Sequence, residues 1–439
     1  MLDEASWALL RRLTRWLDQF KSCFGHRAQH VSLREYVDGL LGDSPRKSMQ
    51  AMLARVTEPR SYQAFQHFIT HAPWNAPTVW RRLLAIMPER QGVLILDDTP
   101  FLKQGTHSVG VARQYASTQK RITTCQVAVT AAMWTGARAW LMGAELYLSE
   151  AWLTPERRAE ARIPATVRFQ EKWRLALTLV RRVRAAGITI TCVLADAGYG
   201  DIAALRTTLD RLHLRYVVGI SSDITVFQGM PRVQPPRRRA GPGRPPRRPQ
   251  LAPETSVWPV AKLIAQLPGR RWRRVSWRNG ENRTWTAMFA AVRVTPVVDW
   301  RSRRVLREVW LLAERAVGAT TPHRYYFSNL PPAASIVRLA RLAHQRWAIE
   351  QQYQDLKSEL GLDHFEGRTY PGWHHHVVLS AVAYGFLQGE RLRRHAAPRL
   401  TFPQVRAIAQ EIFTGLLFIT RDRYWTWLQR GRQYVPLRM

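Results

Sequence analysis

The chain has 439 residues, with 66 Lys and Arg against 32 Asp and Glu, and a formal net charge of +34 at pH 7. This excess of positive charge does not suit an enzyme of neutral metabolites and indicates a polyanionic partner, above all nucleic acid. The hydrophobic fraction of 46% is ample for packed cores. No apolar stretch approaches the roughly 18–20 residues that a membrane-spanning helix requires.

The cysteines and the first residues indicate the compartment. Cys23, Cys125 and Cys192 are few, odd in number and far apart, which predicts free thiols in a reducing environment. The start of the sequence lacks the basic and apolar regions of a secretory signal. We therefore expect a cytoplasmic protein.

Residues 1–90 show the apolar spacing of helices, and we assign them to an N-terminal helical domain. The predicted helices are Trp7–Phe20, Ser48–Val56 and Ser61–His71. A helical domain ahead of a catalytic core can be the specific DNA reader, so binding of DNA ends is one hypothesis. A packing or dimerisation bundle is an equal alternative, because no clear helix-turn-helix pattern is visible.

From residue 91 the pattern changes to strands and then alternates between helices and strands. The predicted elements are strands Val93–Leu96, His107–Arg113 and Cys125–Trp134, helix Thr166–Ala186, strand Ile188–Ala195, helix Asp201–Leu214 capped by Asp201, and strand Arg215–Ile220. This order is typical of an α/β fold with a mixed sheet flanked by helices. We assign 91–222 to the first part of a catalytic core.

The segment 223–332 interrupts this core. Its stretch 231–253 is crowded with Pro and Arg and has no acidic residue, which indicates a linker that either follows DNA or is merely kept solvated by its charge. Strands Arg273–Trp277, Trp285–Val294 and Arg307–Ala313 are predicted after it, as a β-rich insertion. Helices resume near Ala333 and run through Leu360, so 333–390 completes the core, and 391–439 is a basic helical tail.

Three acidic residues stand out by their positions in these elements. Asp97 ends the apolar run 92–96, Asp196 ends the predicted strand 188–195, and Glu350 lies on the predicted helix at 344–357. Carboxylates at two strand ends and on a distant helix can meet at one point and hold hard divalent cations, which prefer oxygen ligands. In a protein this basic, the expected substrate of such a centre is the nucleic-acid backbone.

The helix that carries Glu350 also carries two cations. At 100° per residue, Arg346, Glu350 and Lys357 lie within about 40° of one another, on a stripe roughly 16 Å long. We predict that Glu350 holds a metal and that the two cations hold phosphates on either side of it. A solvated helix face with an ordinary Arg–Glu pair is the alternative.

This spacing resembles a known signature. Arg346-x3-Glu350-x6-Lys357 is similar to the Y-x2-R-x3-E-x6-K pattern of bacterial insertion-sequence transposases with an aspartate–aspartate–glutamate (DDE) centre, although Ala343 stands where the pattern has Tyr. The stretches Leu-Asp-Asp-Thr-Pro-Phe-Leu-Lys-Gln-Gly at 96–105 and Leu-Ala-Asp-Ala-Gly-Tyr-Gly-Asp at 194–201 resemble the same group. The three motifs together look most like the insertion sequence seven-oh-one family.

The resemblance implies a ribonuclease-H-like core with a β-rich insertion between the fifth core strand and the helix of the Glu. It implies a transposase that cuts transposon ends with water and then joins the freed 3′-hydroxyl to target DNA. Asp97, Asp196 and Glu350 would hold two Mg²⁺ or Mn²⁺ ions about 3.5–4 Å apart. The family pattern has its first Asp two residues before the Thr, here Thr99, which selects Asp97 and leaves Asp98 in reserve.

The partners follow from the same resemblance. Double-stranded DNA is the expected substrate, as terminal inverted repeats and as target, and the pairing of two ends implies a homodimer on DNA in the bacterial nucleoid. The predicted DNA contacts are Arg346, Lys357, Lys103, Arg113, Arg237, Arg238 and Arg239. Surface charge explains Lys103 and Arg113 equally well.

Two other functions stay open from the sequence. A structure-specific nuclease on the same core would cut DNA without joining it. A DNA-binding protein that has lost catalysis is a third reading, against which the intact acidic set argues. In the insertion, Trp258, Trp272, Trp277 and Trp285 are interleaved with Arg and are able to stack on unpaired or flipped bases, with core packing as an equal alternative.

Overall fold

A computed structural model of the chain describes residues 3–56, 61–234, 250–252, 255–278, 284–297, 307–393 and 400–420. A mixed sheet with helices on both faces dominates this structure, which confirms the predicted α/β class. No helix within these ranges is long and apolar enough to cross a membrane.

The N-terminal part is helical, as predicted. Its helices are α1 (Glu4–Asp18), α2 (Arg27–Leu41), α3 (Met49–Leu53), α4 (Tyr62–Thr70) and α5 (Ala76–Ile86). Polar side chains begin four of them by accepting a backbone N–H, and these are Asp3, Ser48, Ser61 and Asn75. The five helices share one hydrophobic core with a long helix at Tyr370–Arg393.

The core sheet follows. Its elements are β1 (Gln91–Leu102), β2 (Ala112–Ala116), β3 (Arg121–Trp134), β4 (Ala139–Leu146), α6 (Pro155–Ala161), α7 (Lys172–Ala185), β5 (Thr189–Ala195), α8 (Ala197–Gly200), α9 (Ala203–Arg211) and β6 (Tyr216–Ile220). Strand β1 lies antiparallel to β3 and parallel to β5, and β5 lies parallel to β6. Strand β1 pairs with β5 only as far as Ile95, opposite Leu194, so Asp97 lies level with Asp196 at the C-terminal end of β5.

Three local predictions in this region were wrong. The strand expected at His107–Arg113 begins only at Ala112, because the chain turns at Gly110 with φ +78°. Strand β4 was not predicted. Asp201 does not cap a helix, since its carboxylate accepts hydrogen bonds from the backbone N–H and the hydroxyl of Ser221.

The insertion continues the core sheet instead of forming a separate one. Its elements are β7 (Thr225–Gln228), β8 (Val233–Gln234), β9 (Gln250–Leu251), β10 (Val257–Pro259), α10 (Val260–Ala265), β11 (Arg273–Arg278), β12 (Thr284–Pro296), β13 (Val309–Arg315) and β14 (Arg324–Ser328). Strand β14 pairs antiparallel with β6, and β13 and β12 follow it outward. Most of the predicted linker 231–253, with Arg237, Arg238 and Arg239, lies outside the described residues.

The C-terminal part is helical. Its elements are α11 (Ile336–His344), α12 (Trp347–Gln354), α13 (Tyr370–Arg393) and α14 (Phe402–Thr420). The helices predicted from Ala333 through Leu360 are present, but the continuous helix predicted at 344–357 was wrong in two places. It breaks between α11 and α12 at Gln345 and Arg346, and a π-helical turn at Asp355–Glu359 follows α12.

The sheet separates two hydrophobic cores, and the residues of β1 alternate between them. Val93 and Ile95 pack on the side of α11 and α12. Leu94 and Leu96 pack on the other side, against α7, α8 and α9. Asp97 and Asp98 lie in the middle of β1, which continues to Leu102, and not at the end of a strand as predicted. Because side chains alternate along a strand, this parity also decides to which side the two residues belong.

Candidate active site

Asp97 and Asp98 lie on opposite sides of the sheet. By the alternation of β1, Asp97 belongs to the side of α11 and α12, and its Oδ2 accepts a hydrogen bond from Arg346 at 2.7 Å. Asp98 belongs to the other side, where Lys172 of α7 donates to its Oδ2 at 2.6 Å and the hydroxyl of Tyr199 donates to its Oδ1. Only Asp97 therefore lies on the side from which Glu350 approaches.

Asp196 follows β5 on the same side as Asp97, since Cys192 and Leu194 pack there. Its carboxylate caps α8 by accepting the N–H of Tyr199 at 3.3 Å. The glycines of the Asp-Ala-Gly-Tyr-Gly stretch allow this turn to lie close to β6. A Cβ on Gly200 would lie 1.8 Å from the carbonyl oxygen of Gly219, so this position admits no side chain.

Arg346 connects the acidic residues. Its Nη1 donates to Asp97 at 2.7 Å and its Nη2 donates to Glu350 at 2.6 Å. Asp196 also acts electrostatically on the guanidinium. Although burial alone would lower the pKa of Arg346, the three carboxylates raise it. The structure thus brings the three predicted catalytic residues together around one cation.

The site is fixed in place by its neighbours. The hydroxyls of Tyr353, on α12, and Thr130, on β3, form a hydrogen bond beside Asp97.

Burial raises the pKa of Asp97 to about 7, with a contribution from the charge of Asp196 and against the attraction of Arg346. Burial likewise raises the pKa of Asp196. Burial thus disfavours the ionised form of both carboxylates more than Arg346 favours it.

The three carboxylates are of the chemical type that binds divalent metal ions. Carboxylate oxygens are the ligands that Mg²⁺ and Mn²⁺ prefer. Asp97 is buried and Asp196 is half-buried, and both have raised pKa values. In the described part of the chain, no group of three or more His, Cys, Asp or Glu side chains is already arranged closely enough to hold an ion. Arg346, which binds both Asp97 and Glu350, occupies the space between them.

The other predicted DNA contacts lie in different surroundings. Lys357, in the π-helical turn, donates to the carbonyl oxygen of Pro100 at 2.8 Å. Lys103 donates to the carbonyl oxygen of Phe365 at 2.6 Å. Burial lowers the pKa of both lysines. Arg113 is exposed on β2, at the edge of the sheet.

A cavity of about 690 Å³ extends from the acidic residues into the insertion. Asp196, Arg346 and Glu350 line one end of it, and Trp277 and Trp285 line the other. Trp285 is 43% exposed, so its ring is accessible in the cavity. The sequence indicated an aromatic role in the insertion but did not identify which Trp lies at the site.

Sequence reasoning missed the group that ties the insertion to the catalytic helix. Glu314 of β13 is 3% exposed and accepts hydrogen bonds from His344 and Tyr326, each at 3.1 Å. The ring of His344 stacks on Trp277 with centroids 3.8 Å apart. His344 ends α11, two residues before Arg346. The contact between β13 and α11 thus fixes the start of the helix that carries Glu350.

A comparison with protein families gives this geometry its context. A family model described as DDE superfamily endonuclease matches residues 19–284. The chain belongs to the DDE superfamily endonucleases. The match includes Asp97 and Asp196 and ends before Glu350. With this family, the sheet of β1, β3, β4, β5 and β6 is the expected ribonuclease-H-like core, and that prediction is confirmed.

The chain is also similar to one curated protein, whose name is more specific than that of the family. The chain is 25% identical over 209 residues to the "Probable transposase for insertion sequence element IS701" of Microchaete diplosiphon. The aligned residues make up 46% of this chain and 52% of the relative. The chain thus spans about half the length of the curated relative that it matches.

Proposed function

We propose that the protein is a transposase that cuts the DNA ends of an insertion sequence and joins the freed 3′-hydroxyl to target DNA. The observation that carries the proposal is the convergence of Asp97, Asp196 and Glu350 on Arg346, in a chain of the DDE endonuclease family. The formal charge of +34 suits a DNA substrate. The name of the curated relative is in line with this function.

In this proposal, Asp97, Asp196 and Glu350 hold divalent metal ions, Mg²⁺ or Mn²⁺. When bound, a pair of such ions supplies an activated water and stabilises the attacking and leaving oxygens of an in-line displacement. Arg346 binds a non-bridging phosphate oxygen next to the scissile bond once the carboxylates are compensated by metal. Asp98 stays outside this chemistry and holds the middle of β1 to α7 and α8 through Lys172 and Tyr199.

Glu350 is the accessible member of the set, with a side chain 59% exposed, against 12% for Asp97. It lies in the first turn of α12, which is attached to β3 through Tyr353. The preceding helix α11 is attached to the insertion through His344. We infer that DNA approaches over α12 and that Glu350 completes the site as the strand arrives. The cavity at Trp285 lies next to this path and suits the stacking of an unpaired base.

Further parts of the proposal concern the whole molecule. We propose that the helices of 1–90 contact the DNA ends, that the segment 231–253 follows the DNA backbone, and that two copies assemble on paired ends. We also propose that the protein acts in the bacterial cytoplasm at the nucleoid. Each of these points awaits a measurement on the protein–DNA complex.

One assay separates the three candidate functions. Purified protein is incubated with labelled inverted-repeat ends, Mg²⁺ and a target plasmid, and the products are resolved by denaturing electrophoresis. Cut and joined products are expected for a transposase. Cut product alone would replace it with a nuclease, and a bound but uncut duplex would indicate a DNA-binding protein without catalysis. Glu350→Gln is expected to bind the ends and leave them uncut.

A further inference from the structure

Two smaller cavities extend the catalytic cavity along α11. The nearer one, of about 440 Å³, shares Trp277, His344 and Trp347 with the catalytic cavity. The farther one, of about 340 Å³, shares Arg341 and Gln345 with the nearer one. The three cavities thus follow one another along α11, each sharing lining residues with the next, and we refer to this series as the groove.

The far end of this groove is basic. It is lined by Arg215 at the start of β6 and by Arg338 and Arg341 of α11. Arg338 and Arg341 are exposed and three residues apart, so they project from neighbouring positions on one side of the helix. None of the described residues that line the two smaller cavities is Asp or Glu. The groove thus changes from acidic at the catalytic residues to purely basic at its end.

The spacing of the two arginines on α11 suits a nucleic-acid strand. Arg338 and Arg341 are three positions apart on this helix, or about 4.5 Å at the helical rise. One strand of a duplex carries a phosphate about every 3.4 Å along the axis, so two neighbouring phosphates span a similar distance. Guanidinium groups bind phosphate oxygens through paired hydrogen bonds.

We propose that Arg338 and Arg341, with Arg215, bind the backbone phosphates of the DNA strand next to the scissile bond and so fix the direction in which that strand leaves the active site. The inference rests on the proposed function, because it takes the DNA cut at Glu350 as the occupant of the groove. It adds Arg338 and Arg341 of α11 to the DNA contacts already predicted at Arg346 and Lys357.

The test compares two double variants that remove the same charge. Arg338→Gln/Arg341→Gln changes the groove. Arg181→Gln/Arg184→Gln is the matched control, because these two arginines are also exposed and three apart, on α7 at the opposite side of the sheet. The affinity for a short fluorescein-labelled duplex is measured by anisotropy over a series of salt concentrations. Thermal unfolding of each protein verifies that it is folded.

The slope of log K against log salt counts the phosphates that the protein neutralises. Loss of two phosphate contacts is expected to reduce its magnitude by about 1.8 in the groove variant, and the control is expected to keep the wild-type slope. Equal slopes in all three proteins, or equal losses in both variants, would overturn the inference. If the groove variant does not fold, Arg215→Gln replaces it, with an expected reduction of about 0.9.

A cleavage assay on the same preparations distinguishes this inference from the proposed function. Wild-type cleavage with unchanged slopes in the groove variant would remove the α11 site and leave the transposase proposal intact. Absence of wild-type cleavage in Mg²⁺ would remove the transposase proposal, whatever the slopes. Wild-type cleavage together with a reduced slope confined to the groove variant supports both.

Discussion

Each side of the core sheet carries an aspartate of β1, but the two aspartates have different roles. On the side of α11 and α12, Asp97 lies with Asp196 and Glu350 around Arg346, and burial raises its pKa to about 7. On the side of α7 and α8, Asp98 has its own cation, Lys172, and a hydroxyl donor, Tyr199. Asp98 is a satisfied structural carboxylate, whereas Asp97 is one of several acidic groups that share a single arginine.

The comparison indicates how a catalytic carboxylate differs from a structural one. Carboxylates that crowd together repel one another and bind a cation to relieve the repulsion. A carboxylate with its own ammonium partner has no such need. In β1 the alternation of a strand is sufficient to separate the two roles at adjacent positions.

The largest predicted effect separates Asp97 from Asp98. Asp97→Asn removes a proposed metal ligand, and end cleavage is expected to fall on the order of 10⁴-fold, as when one member of a catalytic unit is removed. Asp98→Asn is expected to keep cleavage within about tenfold and to lose about 1–3 kcal/mol of unfolding free energy, because a charged partner of Lys172 is lost. Single-turnover cleavage and urea unfolding of both variants provide the measurements. Equal losses of cleavage would remove the distinction between the two sides.

A smaller effect is predicted at Glu314, which ties the insertion to α11. Burial opposes its ionisation, but the hydrogen bond from His344 and the nearby charges lower the pKa of Glu314 below its ordinary value of 4.5. Its stabilising contribution is therefore present above pH 4.5 and is lost as the pH falls through the lowered value.

Glu314→Gln is expected to reduce the free energy of unfolding by about 1–3 kcal/mol at pH 7, since a buried charge-assisted hydrogen bond is lost. The difference from wild type should shrink as the pH falls below 4.5. Urea unfolding at several pH values measures it. A difference that is independent of pH would show that the charge of Glu314 does not hold the insertion against α11.

The smallest predicted effect is on the stability of the metal-free protein. The folded-state pKa of Asp97, about 7, lies above the ordinary value of 3.8. The native state therefore binds more protons in this window, and Asp97 makes the fold less stable as the pH rises from about 4 to about 7. Asp97→Asn avoids this penalty, so at pH 8 without metal it should melt a few degrees above wild type.

This advantage has two controls. It should disappear near pH 4, where Asp97 is protonated in the native state. Added Mn²⁺ should stabilise wild type and not Asp97→Asn, because only the intact site gains from the ion. Melting curves followed by circular dichroism provide the comparison. A variant that is no more stable than wild type at pH 8 would mean that the pKa of Asp97 is not raised in the folded protein.

Much of the site could be predicted because its signals are local. Asp97 and Asp196 each end an apolar run that could only be a buried strand, and Glu350 lies at a fixed spacing from Arg346 on a helix. Strand alternation predicts that only one of Asp97 and Asp98 faces the site, and the resemblance to the family pattern selected Asp97. The α/β class followed from the order of the elements.

The rest depended on contacts that are distant in sequence. Strand β4, with the sequence Ala-Trp-Leu-Met-Gly-Ala-Glu-Leu, has few residues of high strand propensity. It pairs with β3 and packs against α7, where a Cβ on Gly143 would lie 2.7 Å from the side chain of Leu179. The link of Glu314 to His344 depends on where β13 falls in the sheet. The π-helical turn that contains Lys357 has no Gly or Pro that would indicate it in the sequence.

The most direct test of the central claim, that three distant carboxylates form one catalytic centre, is the rate of end cleavage in Mg²⁺ by single and double variants. Asp97→Asn, Asp196→Asn and Glu350→Gln should each reduce the rate on the order of 10⁴-fold, and the double variant of Asp97 and Glu350 should be no slower than the worse single one, because members of one unit are not additive. Full cleavage by any single variant, or losses that simply multiply in the double variant, would contradict the account.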